Sequence, residues 1–443
     1  MQHLLNQLAR LNDQKIGDNK IYSFLPYRKG AKEFDYDVVG CNVLSTLMGK
    51  HVKKNFSFEK YKTQCLDHLK DKLSDPDVLV DLEEMYFSDA TIAKTAPEFL
   101  LLRSQEKCNT STKYLIDLFR GFVSQGASQL DFDSGMNFIE RIFLDILSQN
   151  LQEPRVQPTE ACYLPFVAEN FRRDVLFLSK HPDYFLDQLT SCIELYTFIY
   201  CSQLGLNIKN WTNGEVPSSK PLYFILDTEK ASSERTLVMK GGYRSVAPRM
   251  ADVFPILSML EYLNNDSTVP KEPLWAFANA VRSTSAEQHD VVFAEVSKFA
   301  EEFRKKRKLH PTNRKPSNAI ECMQQLTTYG IKQFDKSAKG DRHSVNATYI
   351  KFFETGVANN FIQARGRSSK VLVVNQDFLL LLTNLAIANR SPLRFQTLLA
   401  EFQSRGFYFD KSSQQALINF YERVGNVDRM SDSGDAVYVR NTI

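Results

Sequence analysis

VLVVNQDFLLLLTNLAIANRSPLRFQTLLAEFQSRGFYFDKSSQQALINFYERVGNVDRMSDSGDAVYVR, residues 371–440, holds the densest succession of element signals in the chain. After the apolar run Val371 to Val374, Asn375 and Gln376 lead into Phe378 to Leu382, Leu385 and Ile387, which are apolar on nearly every side and predict a buried helix. Ser391 before Pro392 predicts an N-cap with proline in the first helical position, and Phe395, Leu398, Leu399 and Phe402 recur at i, i+3, i+4 and i+7 until Gly406. A third helix is expected to open on the capping box Ser412-x-x-Gln415 and to carry Leu417, Phe420, Tyr421 and Val424 on one face before Gly425. Segments 427–430 and 436–440 flank the polar turn Ser431 to Asp435, the pattern of a hairpin. Helix, helix, helix, hairpin predicts a winged-helix-like C-terminal domain over 371–443.

A winged helix that reads DNA places its third helix in the major groove and its hairpin on phosphate, so both carry cations. Here the third helix offers little beyond Lys411 and Arg423, and the hairpin tip holds Asp432 and Asp435. Residues 371–443 contain 7 Lys and Arg against 7 Asp and Glu, a net charge of zero. Carboxylates repel phosphate, so this unit is expected to dock protein or to be structural rather than to read bases.

The ending Arg405-Gly406-Phe407-Tyr408-Phe409-Asp410-x-Ser412, followed by Ser431-Asp432-Ser433-Gly434-Asp435-Ala436-x-Tyr438-Val439-Arg440, resembles the C-terminus of the DptG family, the G component of bacterial DNA phosphorothioation-dependent restriction systems. The resemblance covers about the last seventy residues, and the remainder is similar in length and helical character. It implies a cytoplasmic antiviral defence protein that works beside DptF-like and DptH-like ATPase components against DNA lacking the phosphorothioate mark. It carries no catalytic residue and no cofactor onto this sequence.

Working outward, 443 residues with 43% hydrophobic and 12% aromatic content suffice for two or three packed domains. Seven cysteines, odd in number and without a Cys-x-x-Cys pair, point to reduced thiols in the core rather than to disulfides or a zinc site. Met1 to Gln7 lacks the apolar core of a signal peptide, and the most apolar stretch, 371–388, is broken by Asn375, Gln376, Asp377 and Asn384, so no membrane span is expected. Residues 1–215 read as a helical N-terminal body, with helices over 2–11, 36–48, 58–73, 96–106, 112–123, 135–149 and 184–204 and an irregular excursion over 15–37. The proline-bearing stretch 151–165 and the segment 211–219 are candidate boundaries. Residues 216–370 form a mixed, mainly helical middle region, with a short buried strand at 222–226 and helices over 253–263 and 291–307. The fold class is mainly α, a multi-helix body with a few short strands.

Charge divides the chain. Segment 298–370 holds 16 Lys and Arg against 6 Asp and Glu, a net of +10, whereas residues 1–297 hold 32 against 39, a net of −7. Arg304, Lys305, Lys306, Arg307 and Lys308 end a helix, and Arg314 and Lys315 follow in a loop, a setting from which cations reach phosphate. Arg365, Arg367 and Lys370 around Gly366 form a second candidate contact with the DNA backbone, and Lys332, Lys336, Lys339 and Arg342 add to the excess if the fold gathers them. Basic residues at a helix C-terminus also complement the helix dipole, and an isolated cluster needs no further role.

No P-loop is present: Gly49-Lys50-His51 lacks the spaced glycine and the hydroxyl that phosphate and magnesium require. The seven histidines are scattered singly, which suits surface or core roles better than metal ligation. Asp227-Thr228-Glu229-Lys230 follows a strand as nuclease carboxylates do, but Glu229 and Lys230 are adjacent and would face opposite sides, so a charged turn fits better. The expectation is a non-catalytic, DNA-associated component that contacts phosphates and docks ATPase partners. The alternatives are a protein-only assembly scaffold or a cryptic metal-dependent nuclease.

Overall fold

The computed structural model describes residues 1–443 apart from 29, 74, 125–129, 131, 133, 154–159, 233, 339, 366–368 and 431–435. The described chain is mainly α-helical, with short strands gathered into three small sheets. The first half contains α1 (Gln2–Ala9), α2 (Tyr36–Leu47), α3 (Phe58–Lys70), α4 (Pro76–Phe87), α5 (Thr110–Val123), α6 (Phe138–Gln149), α7 (Pro165–Leu178) and α8 (Pro182–Asn207), with β1 (His51–Val52) paired antiparallel to β2 (Leu151–Gln152). The middle region contains β3 (Leu222–Leu226), α9 (Thr236–Gly241), α10 (Tyr243–Leu263), α11 (Leu274–Arg282), α12 (Ala286–Arg307), α13 (Ala319–Lys332), α14 (Arg342–Phe352), β4 (Ile362–Arg365) and β5 (Ser369–Val374). The last part runs α15 (Gln376–Ile387), β6 (Leu393–Arg394), α16 (Phe395–Ser404), β7 (Phe407–Phe409), α17 (Lys411–Val424), β8 (Val427–Met430) and β9 (Ala436–Val439).

The long helix α8 is the axis of the packing. Its apolar residues are spread all round, and from Cys192 to Leu204 nearly every side chain is buried, so it touches neighbours on all sides. Helices α2, α7, α10 and α15 all pack against it. Buried residues from Leu4 to Val439 form one continuous apolar cluster, and five of the seven free cysteines are buried within the protein.

Several local expectations change where tertiary packing or a second signal prevails. The segment expected as a helix over 96–106 is a 3₁₀ helix, Pro97–Gln105; its threefold repeat turns Glu98, Leu101 and Ser104 inward together. Among the helices that the sequence did not announce, α4 and α7 each begin on a proline, Pro76 and Pro165, that local composition marks as a turn or linker. The stretch 151–165 is anchored at both described ends, by β2 and by the buried Glu160, Tyr163 and Leu164.

Strands β4, β5, β3 and β7 lie side by side in that order, with β5 and β7 both parallel to the central β3 and β4 antiparallel to β5. One face joins the main core through Phe224, Leu372 and Phe407, with the Phe224 and Phe407 rings stacked 4.3 Å apart. The other face packs Ile225, Val371 and Val373 against Val238 of α9. The apolar run 371–374 is thus a buried parallel strand, whose lack of alternation follows from apolar contacts on both faces.

The C-terminal unit keeps the expected order of three helices and a hairpin. Asn375 caps α15 by accepting from the Phe378 amide, and Gly406 and Gly425, at φ 90° and 82°, follow α16 and α17. Two caps differ. Ser391 and Pro392 do not start the second helix, because Leu393 and Arg394 are drawn into β6 by pairing with Val439 and Tyr438 of β9, and the helix begins at Phe395. Ser412 does not cap the third helix. The chain leaves β7 one residue after Phe409, which puts Asp410 at the cap, accepting from Ser413 N at 2.9 Å. The small sheet has the order β6, β9, β8. The turn expected over 431–435, with Asp432 and Asp435, lies outside the described residues.

An ion pair fastens this unit to the body. Arg405 and Asp174 of α7 have side chains with no exposed surface; Nε and Nη2 of Arg405 donate to Oδ2 and Oδ1 of Asp174 at 2.9 and 2.5 Å. The Tyr196 hydroxyl also donates to Asp174, and Arg405 Nη1 donates to Glu401 Oε2 at 3.1 Å.

Candidate nucleic-acid interface

Helix α12 is amphipathic. Val292, Val296, Phe299, Ala300 and Phe303 are buried along one side, and its last turn carries Arg304, Lys305, Lys306 and Arg307. Cations there complement the unpaired carbonyls of the helix end. Lys308 terminates the helix in the left-handed conformation, φ 56° and ψ 43°, where glycine is the usual residue, and Leu309 N returns to Arg304 O at 3.0 Å.

The following loop does not wander away from the helix. Thr312 N donates to Tyr329 Oη at 3.3 Å, Gln325 Nε2 donates to Thr312 Oγ1 at 2.7 Å, and Ser317 N donates to Glu321 Oε2 at 2.7 Å. Ala319 N then reaches Nε2 of His289, in the first turn of α12, at 3.4 Å. The loop therefore runs back along α12 and α13 to the end where both helices begin. From His289 to Arg307 the helical rise gives about 27 Å, so the loop lays its side chains along an edge of roughly that length.

The candidate cations differ sharply in what they already hold. Arg304 forks onto Glu301 at 2.8 and 2.6 Å and donates to Leu309 O at 3.0 Å, so it ties the helix end to the loop. Hydrogen bonds from Arg304 lower the pKa of Glu301, and Lys305 lies 3.7 Å from the same carboxylate while 69% of its side chain stays exposed. Arg307 donates to Gly17 O and lies 5.5 Å from the Phe303 ring centre; burial, and then the charge of Arg342, lower its pKa. Arg342 thus joins the α12 end from α14. Lys306, Lys308 and Lys315 are exposed and make no ion pair among the described residues. Arg314, 82% exposed, holds Glu321 at 3.2 Å.

Arg365 and Lys370 belong to a different place, the β4–β5 hairpin. Arg365 donates to Asp227 O, and Lys370 holds Glu354 at 2.8 Å and lies 5.4 Å from the Tyr243 ring centre. Burial raises the Glu354 pKa, but hydrogen bonds from Lys370 and Tyr243 outweigh it and bring the net shift below the ordinary value. Arg367 lies outside the described residues, as does Lys339. Lys332 is half-buried at the end of α13, and Lys336 is exposed. The cations of 304–315 share the α12–α13 edge, while the two described ones of 365–370 are engaged at the sheet.

The turn after β3 uses its carboxylate internally. Glu229 accepts from Leu226 N and Ser413 Oγ, each at 2.8 Å, and from Arg235 Nη1 at 2.9 Å; Arg235 also grips Asp410 at 2.9 and 2.5 Å. This network holds the start of α17 against the carboxyl end of β3. Glu229 is thereby occupied with structure, in keeping with the charged-turn reading of 227–230. No described helix is long and apolar enough to cross a membrane. No protein-family model matches the chain and no curated protein matches it, so the functional reading rests on these side chains and their placement.

Proposed function

We propose that this protein is a non-catalytic, DNA-associated component of a cytoplasmic restriction complex of the phosphorothioation-dependent kind, contacting phosphates through the α12–α13 edge and docking ATPase partners through other surfaces. The observation that carries the DNA contact is the edge itself. Lys305, Lys306 and Lys308 extend into solvent at one end, and Arg314 and Lys315 do so along the return loop. An edge of about 27 Å matches roughly eight base steps of a strand whose phosphates recur every ~3.4 Å along the duplex axis. Such contacts bind without sequence preference, which suits a subunit whose partners translocate or cleave. The C-terminal unit, whose three helices alternate with the short strands β6 and β7 before the β8–β9 hairpin, supports a winged-helix-like docking module, and its net charge of zero argues against its lying on phosphate. The family-like ending supports the defence-system part of the reading.

The test is DNA binding measured against salt. Wild-type affinity for a short duplex is expected to fall steeply as salt rises. Lys305→Glu, Lys306→Glu and Lys308→Glu together should bind weakly and flatten the slope of log affinity against log salt by about 2.7, near 0.9 for each phosphate no longer neutralised. An unchanged thermal melt would show that the variant is folded. Equal affinity and slope in the two proteins would remove this edge from the reading, and no binding to any duplex would favour the protein-only scaffold.

A further inference from the structure

Helix α4 stands out from the body in a way that no internal requirement explains. Asp75 caps it by accepting from Asp77 N at 3.0 Å, Pro76 occupies its first position, and Asp77 favours its positive end, so its start needs no packing to hold it. Tyr86 and Phe87 bury its last turn, and Lys62 of α3 holds Glu83 at 2.6 Å. Between these anchors, Val78, Val80 and Met85 are 40%, 62% and 60% exposed. Val78, Leu82 and Met85 recur at i, i+4 and i+7, a narrow apolar stripe along one flank, with Leu82 half-buried beneath it. Phe138, 71% exposed, sits one residue beyond Asn137, whose amide donates to Tyr86 Oη at 2.9 Å. A single exposed apolar side chain needs no explanation, but Val78 and Met85 on one flank of a rigid helix, with Phe138 near its end, form a face; Val80, two residues on from Val78, lies on the opposite flank.

The charges around that face choose its occupant. Residues 75–89 contain Asp75, Asp77, Asp81, Glu83, Glu84 and Asp89 and no Lys or Arg. Nucleic acid and anionic lipid are repelled, and the same face of a second copy would set Asp81 and Glu84 against their own like. A helix read at i, i+4 and i+7 fits an apolar groove, and the flanking carboxylates require cations on its rim.

We propose that the exposed face of α4 is the docking site for a partner protein that offers an apolar groove or helix face rimmed with lysine and arginine. This rests on the partner-docking half of the functional reading and is independent of its DNA half. It assigns the contact to the acidic body, far in sequence from the cationic edge.

A labelled synthetic helical peptide of leucine and lysine, with one leucine stripe bordered by lysines, serves as the probe, and a leucine and glutamate peptide of the same pattern is the control. Fluorescence anisotropy should show the lysine peptide binding the full-length protein and the glutamate peptide failing to bind. Val78→Ser with Met85→Ser removes apolar surface while leaving every charge in place, and should weaken lysine-peptide binding at least tenfold. Circular dichroism and DNA affinity should stay unchanged in that variant, and the triple Lys→Glu variant should retain peptide binding, so failure of one half of the reading is separable from failure of the other. Equal peptide affinity in wild type and the Val78→Ser, Met85→Ser variant would overturn the proposal. Self-association in sedimentation equilibrium that the same variant abolishes would also overturn it, by assigning the face to a second copy of this chain.

Discussion

Replacing Arg405 with alanine is expected to destabilise the protein by about 3–5 kcal/mol, seen as a large drop in the urea midpoint. The size follows from what remains. Asp174 has no exposed side-chain surface and receives two of its hydrogen bonds from the Arg405 guanidinium, so the truncation strands a buried carboxylate with the Tyr196 hydroxyl as its close donor. Burial disfavours the arginine's own charge, but Asp174, with Tyr196 and Glu401, reverses this and moves its pKa upward. Asp174→Ala should also be strongly damaging, because it leaves the buried guanidinium with Glu401, at 3.1 Å, as the carboxylate that still faces it. Replacing both with apolar residues, Arg405→Met with Asp174→Leu, should recover much of the loss, since paired charges in an interior return little beyond their desolvation cost. If the double variant were no more stable than either single one, the coupling between the two side chains would not be the source of the effect.

The second large effect depends on pH. Glu160 is buried, and burial, with the nearby Glu261 and Asp117 carboxylates adding to it, raises its pKa from 4.5 to about 8 against the opposing hydrogen bond from Phe24 N at 2.8 Å. Between those two values the folded protein keeps a proton that the unfolded chain has released. Stability from this group is therefore full below the unfolded pKa and declines as pH rises through the folded one, by on the order of 5 kcal/mol in all. The carboxyl also steadies a costly backbone: Phe24 has φ 64°, and Tyr200 Oη donates to its carbonyl at 2.7 Å from the other side. Glu160→Gln keeps an acceptor for Phe24 N but cannot ionise. Urea midpoints measured from about pH 5 to pH 9 should fall less for Glu160→Gln than for wild type, with the glutamine form the more stable at the alkaline end. Parallel curves for the two proteins would assign the pH dependence elsewhere.

What was legible in the sequence was mostly what is written in neighbouring residues. The buried helix after Asn375, the hairpin strands on either side of 431–435, and the apolar strand 222–226 follow from local spacing and reappear at those places. The misplaced caps have a common cause. Ser391 and Ser412 offered local capping chemistry, but β6 is claimed by the distant β9, and β7 by the still more distant β3, which moves each helix start. Pro76 and Pro165 were ambiguous for the opposite reason, since proline signals both the break before a helix and its first residue; Asp75 beside Pro76 was the clue to α4. For the cations, composition carries the excess but not its division. The turn at Lys308 and the bonds from Thr312 and Ser317 to α13 keep 304–315 on one edge, and no local pattern announces that Lys370 is held by Glu354.

The sheet built on β3 has a consequence for how the chain is made. Phe224 finds its neighbours at Leu372 and Phe409, so when this strand leaves the ribosome neither of its flanks has yet been translated. Its apolar side chains must wait, covered by helices or by a chaperone, until synthesis is almost finished. A premature stop between residues 226 and 407 would release a nascent product with a bare edge on this strand, a ready nucleus for aggregation.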